Sequence, residues 1–232
     1  MTLTATPIDV GREVAGLRAE LEAHADSAYA TSMRRIVPSE LPAHAVRVPE
    51  IRRIAAAWSR ANRDIAPVDV LEIAEALWAT GSREERIVAM QLVEHCRPLL
   101  ASLPWEVIER WSSQIDNWEH VDHLASAVTY AMLRARRELI DKIDELSHSA
   151  HSWQRRLAIV TLIEAARRDA SWHDPLATTA ARLEGDRGPT MRKAVAWAKK
   201  TLIHKDPEFD AVGGLRALRL PYDRDTSRGN RG

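Results

Sequence analysis

Cysteine, phenylalanine and glycine are scarce in this 232-residue chain, at one, one and nine copies. The lone Cys96 cannot build a disulfide framework or a cysteine zinc site within one chain, which fits a reducing cytoplasm. No glycine-rich phosphate cradle and no nucleophilic serine elbow occurs. Long apolar runs are missing too: nothing approaches the roughly 18–20 residues of a membrane span. Met1–Gly16 lacks a basic segment followed by an apolar core, so no signal peptide is expected. The expectation is a soluble, cytoplasmic monomer without a membrane partner.

Neither sign of charge dominates, since 33 Lys and Arg meet 33 Asp and Glu. The distribution is uneven, however. Residues 1–150 hold 17 basic against 23 acidic side chains, and residues 151–205 hold 11 against 5. A basic C-terminal half can be the footprint of a polyanion; solvated helix faces account for it equally well. Ala, Leu, Arg and Glu dominate, and β-branched residues are scattered rather than collected into alternating runs. That composition predicts an all-α protein.

Apolar periodicity predicts helices over Val10–His24, Ser27–Ile36, Pro49–Asn62 and Val68–Ala79, the last stopped by Gly81. Ser82 and Glu85 form an S-x-x-E box that opens the next helix, with Ile87, Met90, Gln91 and Val93–Glu94 as its stripe. Pro104 starts another, followed by Asn117–Ala135, Arg137–Ser147, Ser152–Arg168, Asp174–Glu184 and Pro189–His204. Short connections and a degenerate 35–40-residue period predict a right-handed α-solenoid of HEAT-like repeats with a concave binding groove. A globular helical bundle is the structural alternative. The expected organisation is one domain over 1–205 and a partly disordered tail over 206–232.

Trp118 and Asp122 are four residues apart, about one helical turn, so ring and carboxylate share a face. Asp116 and Glu119 read as a capping box, with Asp116 the N-cap, which puts Asp122 past the first turn where a carboxylate caps nothing. Aspartate is a poor interior helix residue, so another role is expected of it. Trp153 and Arg156 share a face in a later helix, and Trp197 lies in a third among Lys193, Lys199 and Lys200. In a repeat stack such positions line up along one side. The plainer reading is structural: most of eight tryptophans must serve the core, among them Trp58, Trp78, Trp105, Trp111 and Trp172. Asp122 would then be a salt-bridge partner of Arg156 that stitches neighbouring repeats.

The runs Asn117–Asp122, Trp153–Ala158 and Arg192–Trp197 resemble, in order and separation, three signature segments of the AlkD-type DNA alkylation repair glycosylases. Val46–Arg52 resembles that family's N-terminal V-x-V/T-P-x-x-R segment, and the similarity spans roughly Leu17 to Pro207. The resemblance implies HEAT-like repeats around duplex DNA, excision of N3- and N7-alkylated purines without a base pocket, and no cofactor. It implies Asp122 as the catalytic carboxylate, with Trp118 and Trp197 flanking it. Arg156 would contact the DNA backbone, Arg155 being the competitor for that role one residue away, with Trp153, Lys193 and Lys200 as further DNA-binding residues.

Those residue types suit the chemistry. An alkylated purine is cationic and already a good leaving group, so a carboxylate that stabilises an oxocarbenium-like sugar and orients water suffices. Each aromatic face would add ~0.5–2 kcal/mol of cation–π attraction. The chain departs from the family in its neutral charge, in Glu119 where aspartate is commoner, and in Ser39–Ala45, which lacks the usual glycine and aromatic residues. Two other readings stand beside a methylpurine glycosylase: a HEAT-like scaffold that binds DNA structures or proteins, and a glycosylase for bulky adducts. His120 with His123, and His148 with His151, lack the partners of a metal site, so no metal is expected. Arg34-Arg35, Arg52-Arg53, Arg136-Arg137 and Arg167-Arg168 read as solvated helix faces.

Overall fold

The computed structural model describes residues 8–205, and the predicted tail over 206–232 lies outside them. The described residues are all-helical and contain no strand. The order begins α1 (Val10–Ala23), α2 (Ser27–Ile36), α3 (Val48–Ala61), α4 (Pro67–Thr80), α5 (Arg83–His95), α6 (Arg97–Ser102) and α7 (Trp105–Ser113). Next come α8 (Trp118–His123), a π-helical turn (Leu124–Thr129) and α9 (Tyr130–Ala135), which run as one rod. A 3-10 turn (Arg137–Leu139), α10 (Ile140–Ser147), α11 (Ser152–Ala166), a second 3-10 turn (Ala170–Trp172), α12 (His173–Leu183) and α13 (Pro189–Lys205) complete it.

Local chemistry sets most of these ends. Asp9, Asp26 and Ser82 accept the orphan amides of Arg12, Tyr29 and Glu85. Prolines occupy the first turns of α3 and α4, and Gly81 closes α4 at a φ of 82°. The short α6, with Pro98 in its first turn, is not signalled by apolar periodicity.

The start of α8 differs from the expectation by one residue. Asn117, not Asp116, is the N-cap, and its side-chain oxygen accepts the His120 amide at 2.9 Å. Asp116 instead accepts from Ser39 Oγ at 2.7 Å and the Glu40 amide at 3.0 Å, tying down the loop after α2. Those hydrogen bonds keep its carboxyl below the ordinary aspartate value against the opposing effect of burial. Glu119 is likewise no capping partner: it pairs with Arg83. Asn117→Ala therefore removes a helix cap and costs about 1 kcal/mol in urea unfolding. Asp116→Ala loosens the loop while the amide cap stays.

Five stretches lie side by side: α3, α5, the α8–α9 rod, α11 and α13, each touching the next. Their starts are joined. Glu84 of α5 accepts the amides of His44 and Val46 just before α3, Arg83 reaches Glu119 of α8, and Arg156 of α11 reaches both Asp122 of α8 and Thr190 of α13. At the other end Ser59 of α3 meets His95 of α5 at 3.2 Å, so α3 and α5 run parallel. Of the remaining helices, α1, α4, α7, α10 and α12 pack against members of this row as a second layer. There Trp78 of α4 stacks on Trp111 of α7 with centroids 4.4 Å apart, worth ~0.5–1.5 kcal/mol beyond area burial.

Sandwiched between α4 and its neighbours in the row, α5 is buried from Arg83 to Val93 without interruption, where one apolar stripe was expected. In its charged first turn Arg83, Glu84 and Glu85 have ion-pair partners, whereas Arg86 donates to the Gln114 carbonyl and leaves its buried Nε without a partner. Arg83 is fork-bonded to Glu119 at 2.7 and 2.8 Å and also donates to Glu84 at 2.7 Å. Burial opposes the Arg83 charge, but Glu119 and Glu84 outweigh it and raise its pKa. Ala45, at a φ of 61°, occupies the left-handed region that a non-glycine residue disfavours. The flanking amides of His44 and Val46, both bound to Glu84, hold it there.

Candidate functional site

Asn117 starts α8 so that Trp118, Asp122 and Ser126 follow at intervals of one turn, and none of the three is fully buried. The Trp118 Nε1–H donates to the Ile36 carbonyl at the end of α2, 3.0 Å away, which fixes the ring edge and leaves part of the indole open. Ser126 Oγ donates to the Asp122 carbonyl at 2.8 Å, where the π-helical turn begins. Such π turns recur at functional sites.

The Asp122 carboxylate is held from the α11 side. Arg156 Nε donates to Oδ1 at 3.0 Å and Nη2 to Oδ2 at 2.9 Å, a bidentate fork. Its Nη1 donates to the Thr190 carbonyl at 2.8 Å. The Arg156 side chain is 7% exposed and that of Asp122 26%, so the pair is closed on the arginine side and open on the carboxylate side. Burial raises the Asp122 carboxyl above its ordinary value; Arg156 opposes this, while Glu164 and Glu119 add to it.

Beneath the site lies a buried scaffold that the sequence did not announce. His120 is fully enclosed, with Nε2 3.0 Å from the Arg83 carbonyl and Nδ1 3.0 Å from the Asn117 amide nitrogen. Burial pulls its pKa down to about 3, and that of the neighbouring His123 to about 4. Both rings are neutral at neutral pH, and His120 serves as a hydrogen-bonded strut between Asn117 and the Arg83 carbonyl. The fork from Arg83 to Glu119 secures the same helical turn. An Asn three residues before a His is too common a pattern to have singled these residues out.

Not every predicted residue joins the cluster. Trp118, Asp122 and Arg156 come together. Trp197 lies about two turns along α13 from Thr190, half-buried, where it lines a cavity of about 350 Å³ with Arg167, Lys200, Thr201 and His204. Trp153 is half-buried against the core one turn before Arg156, and Lys193 and Lys200 are exposed. Arg155 points elsewhere: it pairs with Asp186 at 2.6 Å and donates to the carbonyls of Ser149 and Ala150. The tryptophans divide accordingly. Trp78, Trp105, Trp111 and Trp172 are buried, whereas Trp118, Trp153 and Trp197 are partly open. Trp58, expected in the core, is also only half-buried, its Nε1–H on Glu13.

A larger apolar groove of about 510 Å³, lined in part by Leu183, Val195 and Ile203, lies between α12 and α13 and shares no residue with the Asp122 cluster. No three His, Cys, Asp or Glu side chains gather as a metal site among the described residues. No helix among them is long and apolar enough to cross a membrane.

An all-helical stack thus presents an open carboxylate one turn from an indole, with basic side chains further along the row. Residues 17–210 match the DNA alkylation repair enzyme family, and the chain belongs to it. Membership marks an enzyme of DNA repair and implies DNA as its partner. No curated protein matches the chain at a significant level.

Proposed function

We propose that this protein is a DNA glycosylase that hydrolyses the N-glycosidic bond of cationic N3- and N7-alkylpurines in duplex DNA. The observation that carries the reading is the open edge of Asp122, one turn from a half-exposed Trp118 and gripped from behind by a buried arginine. The side-by-side row of α3, α5, α8–α9, α11 and α13 supports a HEAT-like solenoid over the described residues, whose concave surface receives the duplex.

In this reading Asp122 stabilises the electron-poor sugar and orients the attacking water. Trp118 and Trp197 offer aromatic faces to the positive charge. Arg156 reaches Asp122 rather than solvent, so in the free protein it positions the carboxylate; Lys193, Lys200 and Trp153 are left to meet the DNA. Selectivity comes from the lesion, because a neutral purine is a poor leaving group. Only a groove without a closed base pocket is needed, which suits methyl and bulky adducts alike.

The test is incubation of the protein with methylated duplex DNA. Free 7-methylguanine and abasic sites are the expected products, and failure to release any base overturns the reading. A second reading has one observation in its favour: the Arg156 fork is also a complete structural ion pair, suited to a non-catalytic DNA-binding scaffold. Tight binding to branched or undamaged DNA without base release would select it.

The raised Asp122 carboxyl fixes the sign of the pH dependence. The anion is the active form, so acidification removes activity as pH falls through a value above the ordinary aspartate range. A pH–rate profile of base release, with folding followed by circular dichroism, checks this. An acid limb at or below the ordinary aspartate value contradicts it.

A further inference from the structure

The last turn of α2 carries Arg34, Arg35 and Ile36, three consecutive exposed residues between the buried Met33 and Val37. Neither arginine has a hydrogen bond or ion pair among the described residues, a state they share with Arg52, Arg60 and Arg63 on or next to α3, whereas Arg18, Arg47, Arg53 and Arg110 have carboxylate partners. α2 contains no acidic residue of its own. Two cations at a helix C-terminus are accounted for by the helix dipole. The dipole does not account for Ile36, which is 56% exposed and whose carbonyl holds the Trp118 indole. The loop that follows is fastened by Asp116 through Ser39 and Glu40, so this turn and its loop are anchored both to α8's first residue and just ahead of it.

We propose that the last turn of α2 is a duplex-binding edge of the Asp122 site, in which Arg34 and Arg35 take backbone phosphates and Ile36 makes an apolar contact beside Trp118. The inference rests on DNA being the partner of that site. The chemistry fits phosphodiesters: two unpaired guanidiniums, each able to fork onto phosphate oxygens, directly precede the residue whose carbonyl holds the Trp118 ring. Because Trp118 is hydrogen-bonded to this turn, a strand held here is also set in register with the indole and, one turn on, with the carboxylate.

The experiment measures equilibrium binding of an undamaged duplex between 50 and 200 mM salt for the wild type, Arg34→Ala/Arg35→Ala, Ile36→Ser and the control Arg12→Ala, alongside base release from methylated duplex. The double variant is expected to bind about tenfold more weakly and to lower the log–log salt slope by about 1 to 2. Ile36→Ser is expected to weaken binding severalfold with the slope unchanged, and Arg12→Ala to match the wild type. All four positions are exposed, and unchanged melting curves exclude unfolding as the cause. An unaltered slope in the double variant, or no duplex binding by the wild type, overturns the proposal. If the wild type binds but releases no base, the glycosylase reading fails while the edge is still judged by its slope.

Discussion

Asp122→Asn is expected to bind methylated duplex like the wild type and to release 7-methylguanine on the order of 10²-fold or more slowly. Removing a single preorganised electrostatic group from a catalytic centre costs about 10²–10³ in rate. Asparagine keeps the volume of the side chain and one oxygen for Arg156, so the fork is weakened but the helix junction remains. What it lacks is the negative charge that a developing sugar cation requires. The comparison is single-turnover base release at saturating protein, with affinity measured separately. Undiminished release would show that the carboxylate is a structural stitch between α8 and α11. A loss confined to affinity would point the same way.

Arg83→Met is expected to lower the unfolding free energy by about 3–5 kcal/mol, a large share of the ~5–15 kcal/mol typical of a domain. Arg83 is 2% exposed and divides its donors among Glu119, Glu84 and the Val46 carbonyl. Its removal strands the Glu119 carboxylate in an apolar setting. Glu84 is better protected, because the amides of His44 and Val46 continue to serve it. Adding Glu119→Gln to Arg83→Met should therefore recover part of the loss. Urea unfolding of the single and double variants checks this, and a loss under about 1 kcal/mol in the single variant would contradict it. Since His120 also bonds the Arg83 carbonyl, the damage is expected to extend to the turn that carries Trp118 and Asp122.

The helices were legible because their signals are local. Caps at Ser82, prolines opening α3 and α4 and the left-handed Gly81 are readable from neighbouring residues alone. The pairing of Trp118 with Asp122 was legible for the same reason, being one turn of one helix. Long-range facts were not. Nothing in the neighbourhood of Asp116 says that its carboxylate will be claimed by Ser39, 77 residues away, which leaves the cap to Asn117. Which of Arg155 and Arg156 faces Asp122 is a matter of about 100° of rotation about α11. Only the tertiary partners, Asp186 for one and Asp122 for the other, show that it is Arg156. The full burial of α5 was equally hidden, because much of what satisfies its polar residues comes from α1, α3's flank and α8.

The π-helical turn between α8 and α9 has a geometric corollary. In a regular α-helix a row of every fourth residue slides about 40° around the axis at each step. A π turn accommodates about one residue more, which nearly cancels that drift. Trp118, Asp122, Ser126 and Tyr130, all partly or fully open, thus form a straighter column than their spacing alone allows. Arg168, whose guanidinium lies 4.6 Å from the Tyr130 ring centroid, closes the column at its far end. The alignment is a property of backbone winding, so side-chain exchange along the column alters its chemistry and leaves its bearing unchanged.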